Sequence, residues 1–277
     1  SDGDGVPDEL PPGDPGYDYD SQPSPILPDD AINPETETRT ITTNYPSITM
    51  DSFYNNPAYI RWPPAARTVT LQTTVSTASS GSTLMVTPPP AAFFTNCDCM
   101  SGMVVHNITD DRADDNEENW GNAHWRIITD ITNGVIATVN PDIGDNWDGD
   151  LIELALRFYD QGGGTDYTAT RVYAGRQQEV PAGETADILI DLNGGDVFFQ
   201  NSSLISEDDI IIKGSGSNEL RMFYTAAGTI YPMLATKNGD ILSFDTPGAG
   251  SETERVNRRR IAGLIYSEFG QVYFNYL

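Results

Sequence analysis

Residues Val180–Phe244 read VPAGETADILIDLNGGDVFFQNSSLISEDDIIIKGSGSNELRMFYTAAGTIYPMLATKNGDILSF. The apolar runs are of strand length, and each is cut by Gly, Asn, Asp or Pro. Ile188, Ile190 and Leu192 alternate with Leu189, Asp191 and Asn193; Leu220, Met222 and Tyr224 alternate with Arg221 and Phe223. Period-two alternation with a turn signal about every ten residues predicts short, half-buried strands. The reading is an all-β chain, a jelly-roll-like antiparallel β-sandwich of roughly 14 strands. Two stacked β-sandwiches split near residue 140 are the alternative.

Outward from that block the pattern holds. Arg67–Thr87 reads as two strands around STASSGST, and Pro88–Pro90 ends the second, since proline cannot donate to a ladder. Met103–Ile108 is a further strand. HWRIITDI and GVIATV form a hairpin around Thr132-Asn133-Gly134. LIELALRFYD could be helical by propensity but is read as a strand, because it runs through a Gly turn into another strand. VYFNYL alternates cleanly and should be paired.

The first 50 residues are a different material, dominated by Pro, Asp and Gly, with too few aliphatic side chains to build a core. They are expected to form an extended acidic arm preceding a body of residues 51–277. An arm without a core orders only against another surface, its own body or a neighbour, and strand addition is one way to do so.

Charge narrows the partners. The 277 residues include 41 acidic and 15 basic ones, a formal charge of -26, with 28 Asp, 13 Glu and only two lysines, Lys213 and Lys237. Concentrated salt screens such self-repulsion, so the composition fits a protein of a halophilic or marine source. Nucleic acid is not expected as a direct partner, because phosphate binding needs clustered Lys and Arg. No apolar run reaches the roughly 18 residues that a bilayer span requires. No signal peptide is recognisable, since Ser1 opens directly on acidic sequence. Cys97 and Cys99 lie too close in sequence for an unstrained disulfide and are expected to be thiols.

Several clusters carry possible chemistry. SDGDGVPDEL resembles the acidic calcium loops of thrombospondin type 3 repeats. The resemblance implies Asp2, Asp4 and Asp8 as oxygen ligands, with Gly3 and Gly5 allowing the turn. Asp142, Asp145, Asp148 and Asp150 crowd around Gly144 and Gly149, a candidate Ca2+ loop whose spacing is not that of an EF-hand. Trp62 and Trp147 lie in aromatic loops that could form a sugar platform. Arg255, Arg258, Arg259 and Arg260 fall within six positions and form a candidate interface to an acidic neighbour. Asn107 and Asn201 open glycosylation sequons.

The sequence has no P-loop and no G-x-S-x-G, and its two histidines, His106 and His124, leave little for a zinc or Ser-His-Asp site. No catalytic residue is assigned and no enzyme activity is expected. The expectation is a structural subunit of a viral capsid or other extracellular assembly, self-associating through its arm and located on a virion or cell surface. Its partners would be copies of itself or other subunits of the same assembly. A calcium-dependent adhesin or carbohydrate-binding module, and a strand-donating filament subunit, are the alternatives.

Overall fold

The computed structural model describes residues 50–64, 71–87, 92–109, 125–143, 147–175, 187–214, 218–225, 232–245 and 259–274. The chain divides into two units, 1–47 and 48–277. All described residues belong to the second, so the arm lies outside them except for Met50.

Seven strands come first: β1 (Ile60–Trp62), β2 (Gln72–Thr74), β3 (Thr83–Met85), β4 (Val104–Asn107), β5 (Trp125–Asn133), β6 (Ile136–Asn140) and β7 (Leu151–Tyr159). A one-turn helix, α1 (Asp51–Tyr54), precedes them, and another, α2 (Phe93–Asn96), lies between β3 and β4. β5 and β6 form the expected hairpin, antiparallel with two register shifts. The strands expected in Arg67–Thr87 are β2 and β3. They touch through the Val75–Val86 bridge, while their main partners are β7 and β6.

Beyond residue 160 the architecture is parallel. The strands repeat in threes: β8 (Tyr167–Thr168), β9 (Arg171–Ala174) and β10 (Ile188–Asp191); β11 (Val197–Gln200), β12 (Ser203–Ser206) and β13 (Ile210–Gly214); β14 (Leu220–Phe223), β15 (Met233–Thr236) and β16 (Ile241–Asp245); β17 (Arg259–Ile261), β18 (Leu264–Ser267) and β19 (Val272–Phe274). Each strand pairs in parallel with its equivalent in the next triplet. The result is four coils of a three-faced β-solenoid, each coil touching only its neighbours along the axis.

This corrects the antiparallel jelly-roll sandwich. Local alternation is the same in both architectures, because a solenoid strand also points every second residue inward. What distinguishes them is a longer period. Arg171, Ser203, Met233 and Leu264 open successive strands of one face at intervals of 30 to 32 residues. Inside, like stacks on like: Ile188, Ile210 and Ile241 in one row, Val172, Leu204 and Leu234 in another. Each fully buried aliphatic side chain of this kind contributes about 1.5–3 kcal/mol.

Corners repeat as well. Ala169 and Asn201, at equivalent positions of the first two coils, both take positive φ, 52° and 51°. Asn tolerates that region better than most residues, and Asn201 is fixed there by two bonds to Thr225, Nδ2 to Oγ1 at 2.9 Å and Thr225 N–H to Oδ1 at 2.9 Å. Asn201 is therefore a buried corner. Asn107 is buried too, its Nδ2 donating to Asp150 Oδ2 at 2.8 Å. Neither sequon presents its amide for glycosylation in this fold.

β7 joins the two architectures. It pairs antiparallel with β2 through Leu151–Glu153, antiparallel with β4 through Ile152–Ala155, and parallel with β10 through Leu156–Tyr159. The segment from Met50 to Trp62 runs back along the outside of the solenoid. Met50 N–H donates to Glu268 Oε2 in the fourth coil (3.0 Å), Tyr54 packs edge-on against Tyr173, and β1 adds in parallel to β9.

At the other end no described strand covers the solenoid stack. β17, β18 and β19 are edge strands of their sheets among the described residues. Val272 continues the inward row of Ile188, Ile210 and Ile241, which are fully buried, yet it is 40% exposed. No helix among the described residues is long and apolar enough to cross a membrane.

Candidate functional site

The turn that leads into β10, β13 and β16 carries an aspartate in each coil: Asp187, Asp209 and Asp240. Their side chains form a ladder along the solenoid axis. Asp187 Oδ1 accepts the N–H of Asp209 at 3.0 Å, Asp209 Oδ1 that of Asp240 at 2.6 Å, and Asp240 Oδ1 that of Gln271 at 2.6 Å. The ladder satisfies backbone donors that have no strand partner at the corner. Gly239 sits directly over it. A Cβ there would run into the backbone of Asp208 and the carboxylates of Asp208 and Asp209, so the close approach of the coils demands glycine.

The first two rungs hold more carboxylate than the ladder needs. Oxygens of Asp187, Asp208 and Asp209 all lie within 4.8 Å of one another. Glu153 of β7, itself buried and bonded to Gln72 Nε2 at 2.9 Å, adds its charge. Burial, then repulsion from Glu153, Asp208 and Asp209, drives the Asp187 carboxyl well above the usual range. Asp209 is pushed up to about 8 by burial, then by Asp208, against the stabilising N–H of Asp240. Asp208 rises to about 6 through burial and the charge of Asp240.

Three carboxylates so placed cannot all stay ionised without a counter-charge. Protons can neutralise them, and so can a cation. The donors are all oxygen, which suits a hard ion such as Ca2+ or Mg2+ better than a thiol- or imidazole-seeking metal.

The residues singled out from sequence fall elsewhere. Asp2, Asp4, Asp8, Asp145, Arg255 and Arg258 lie outside the described residues. Asp142 and Asp148 are exposed, and Asp150 is engaged by Asn107, so the three do not converge. Trp62 is buried, its indole N–H donating to the Cys97 carbonyl at 3.1 Å. Trp147 is buried beneath the Arg126 guanidinium, 5.0 Å from the ring centroid. Neither ring is exposed for stacking. Arg259 and Arg260 lie together on β17. Arg259 Nε donates to Ser243 Oγ at 3.2 Å, and Arg260 pairs with Glu219 at 3.0 Å. No disulfide joins Cys97 and Cys99.

Sequence reading passed over Asp187, Asp208 and Asp209. A signal for two of them was there in the Asp-Ile step that opens a strand at Asp187, Asp209 and Asp240. No protein-family model, no curated protein and no solved structure matches the chain.

Proposed function

We propose that the chain is a structural subunit of an extracellular or virion-surface assembly, and that copies join through the fourth solenoid coil. The observation that carries this reading is the uncovered inward row at Val272. A solenoid normally ends in a polar cap, because an open stack leaves core residues wet and three strand edges unpaired. Here the last described coil instead exposes Leu264 (40%), Phe269 (71%), Val272 (40%) and Tyr273 (38%). Arg259 and Arg260 flank them on β17, in a chain of charge -26. Apolar contact with basic residues at the rim fits a surface that meets an acidic copy of the same protein. The N-terminal arm is proposed as a second contact, on its composition.

Sedimentation of the full chain tests this. Assembly should weaken in a Phe269→Asp/Val272→Asp double variant and in a chain beginning at Ile48. A full chain that sediments as a monomer at all concentrations would overturn the reading.

A second reading rests on a different observation, the convergence of Asp187, Asp208 and Asp209. It is a calcium-dependent binding module, in which the cation ties the first two coils together. Calorimetric titration of the chelated protein with Ca2+ tests it directly.

A further inference from the structure

At the junction of the solenoid with the antiparallel strands lies a pocket of about 360 Å³. Leu189, Asp191 and Lys213 form its solenoid wall, and Trp125, Ile127 and Asn140 face them from β5 and β6. Arg157 of β7 lies in the lining as well. Pockets at such junctions, apolar with a few convergent polar groups, are where small ligands bind.

The charges in the lining do not balance. Asp191 spends both oxygens: Oδ2 takes Arg157 Nε at 2.9 Å, and Oδ1 takes the backbone N–H and Nδ2 of Asn193 at 3.0 and 2.8 Å. Arg157 also lies over the Tyr159 ring, 4.2 Å from its centroid, which fixes the guanidinium in place. Lys213, the register partner of Asp191 on the next strand, is only 6% exposed. Among the described residues its ammonium makes no hydrogen bond and no ion pair within bonding distance; Asp191 acts on it only through its field. Burial accordingly lowers the lysine to about 8. Two cations thus face one carboxylate that is already engaged. The pocket carries one positive charge in excess, inside a protein whose formal charge is -26. A buried ammonium without a counter-ion costs stability unless something pairs with it.

We propose that this pocket binds a small monocarboxylate of about one six-membered ring, its acid group bridging Lys213 and Arg157. One excess positive charge matches a monoanion, and a dianion would leave the site overcharged in the other sense. The wall of Trp125, Ile127 and Leu189 suits an apolar ring face. Asn140 and Asn193 lie where amides could meet ring hydroxyls. Two sources share this chemistry, a sugar acid and an apolar ring acid, and the amides are what would separate them.

Isothermal titration of the full chain at neutral pH tests the proposal, with D-glucuronate, cyclohexanecarboxylate, acetate and D-glucose as probes. Either ring acid should bind with one-to-one stoichiometry and at least tenfold more tightly than D-glucose or acetate. Tighter binding of D-glucuronate assigns the site to sugar acids, and tighter binding of cyclohexanecarboxylate to apolar acids. Lys213→Met should weaken the bound acid at least tenfold while melting no lower than the parent chain, since it removes an unpaired buried charge. Lys237→Met, which changes the other lysine, should leave binding unchanged. Absence of heat with both ring acids at millimolar concentration overturns the proposal, as does undiminished binding by the Lys213→Met protein. If Lys213→Met does not fold, Arg157→Gln replaces it, and undiminished binding there overturns the proposal equally.

Discussion

Asp209 of the second coil accepts the backbone N–H of Asp240 in the third at 2.6 Å. The relation repeats one coil later, where Asp240 accepts from Gln271. A solenoid needs such a device at each corner, because strand pairing stops there while the backbone donors continue.

Asp240→Ala should free the exposed Gln271 N–H to water and lower stability by about 0.5–1.5 kcal/mol, the net worth of an ordinary hydrogen bond. Asp240→Asn keeps an acceptor oxygen and should cost less than half as much. Urea unfolding of the two variants separates these outcomes. Equal losses would mean that charge, not the hydrogen bond, is what the position supplies.

Gly239→Ala should be costlier than its size suggests. Its methyl would meet the Asp208 backbone, which cannot swing away as a flexible side chain could. Overpacking of this kind costs about 1–3 kcal/mol. A thermal melt within a degree of the parent chain would show that the coils can separate locally without loss.

These two positions also mark where sequence reading stopped. Strand identity was legible wherever alternation was strong: Leu151–Tyr159 is a strand despite its helical composition, and the Trp125–Asn140 hairpin is as expected. Strand direction was not legible. Ile188 and Ile190 alternate with their neighbours in the same way whether the next strand runs parallel or antiparallel. Direction was encoded in the recurrence of Asp209 at Asp240, 31 residues on, and that distance exceeds the window in which alternation is judged. The acidic cluster was hidden for a related reason. Asp187 and Asp208 are 21 residues apart in sequence and become neighbours only through coil stacking. The compact run Asp142–Asp150 drew notice instead, although its described members form no close ligand group.

Salt should stabilise the protein. The formal charge of -26 repels itself within the folded chain, and molar salt shortens the screening length to about 3 Å. The exposed Arg260–Glu219 pair will weaken under the same conditions, but such pairs contribute only about 0–1 kcal/mol. Relief of self-repulsion therefore wins, and the melting temperature should climb between dilute and molar KCl. A flat profile would remove the basis for a saline habitat.

The acidic cluster sets a pH dependence whose sign can be worked out. An unfolded aspartate titrates near 4, whereas Asp208 and Asp209 in the fold do so at about 6 and about 8, and Asp187 is raised in the same direction. Between those limits the native state holds protons that the unfolded chain has given up. Stability should therefore be greatest at the acid side of this window and fall as pH rises from about 4 to about 8. Asp209→Asn, which keeps the acceptor for Asp240 but cannot ionise, should flatten the fall. Ca2+ competes with protons for the same oxygens, so it should raise the melting temperature at pH 8 and do little at pH 5. Melts in chelator, with and without excess Ca2+, at these two pH values distinguish the cases. A fall with pH that Ca2+ leaves untouched would make the cluster a structural ladder alone. No fall at all, with Asp209→Asn indistinguishable from the parent chain, would mean that the three carboxylates do not share one buried site.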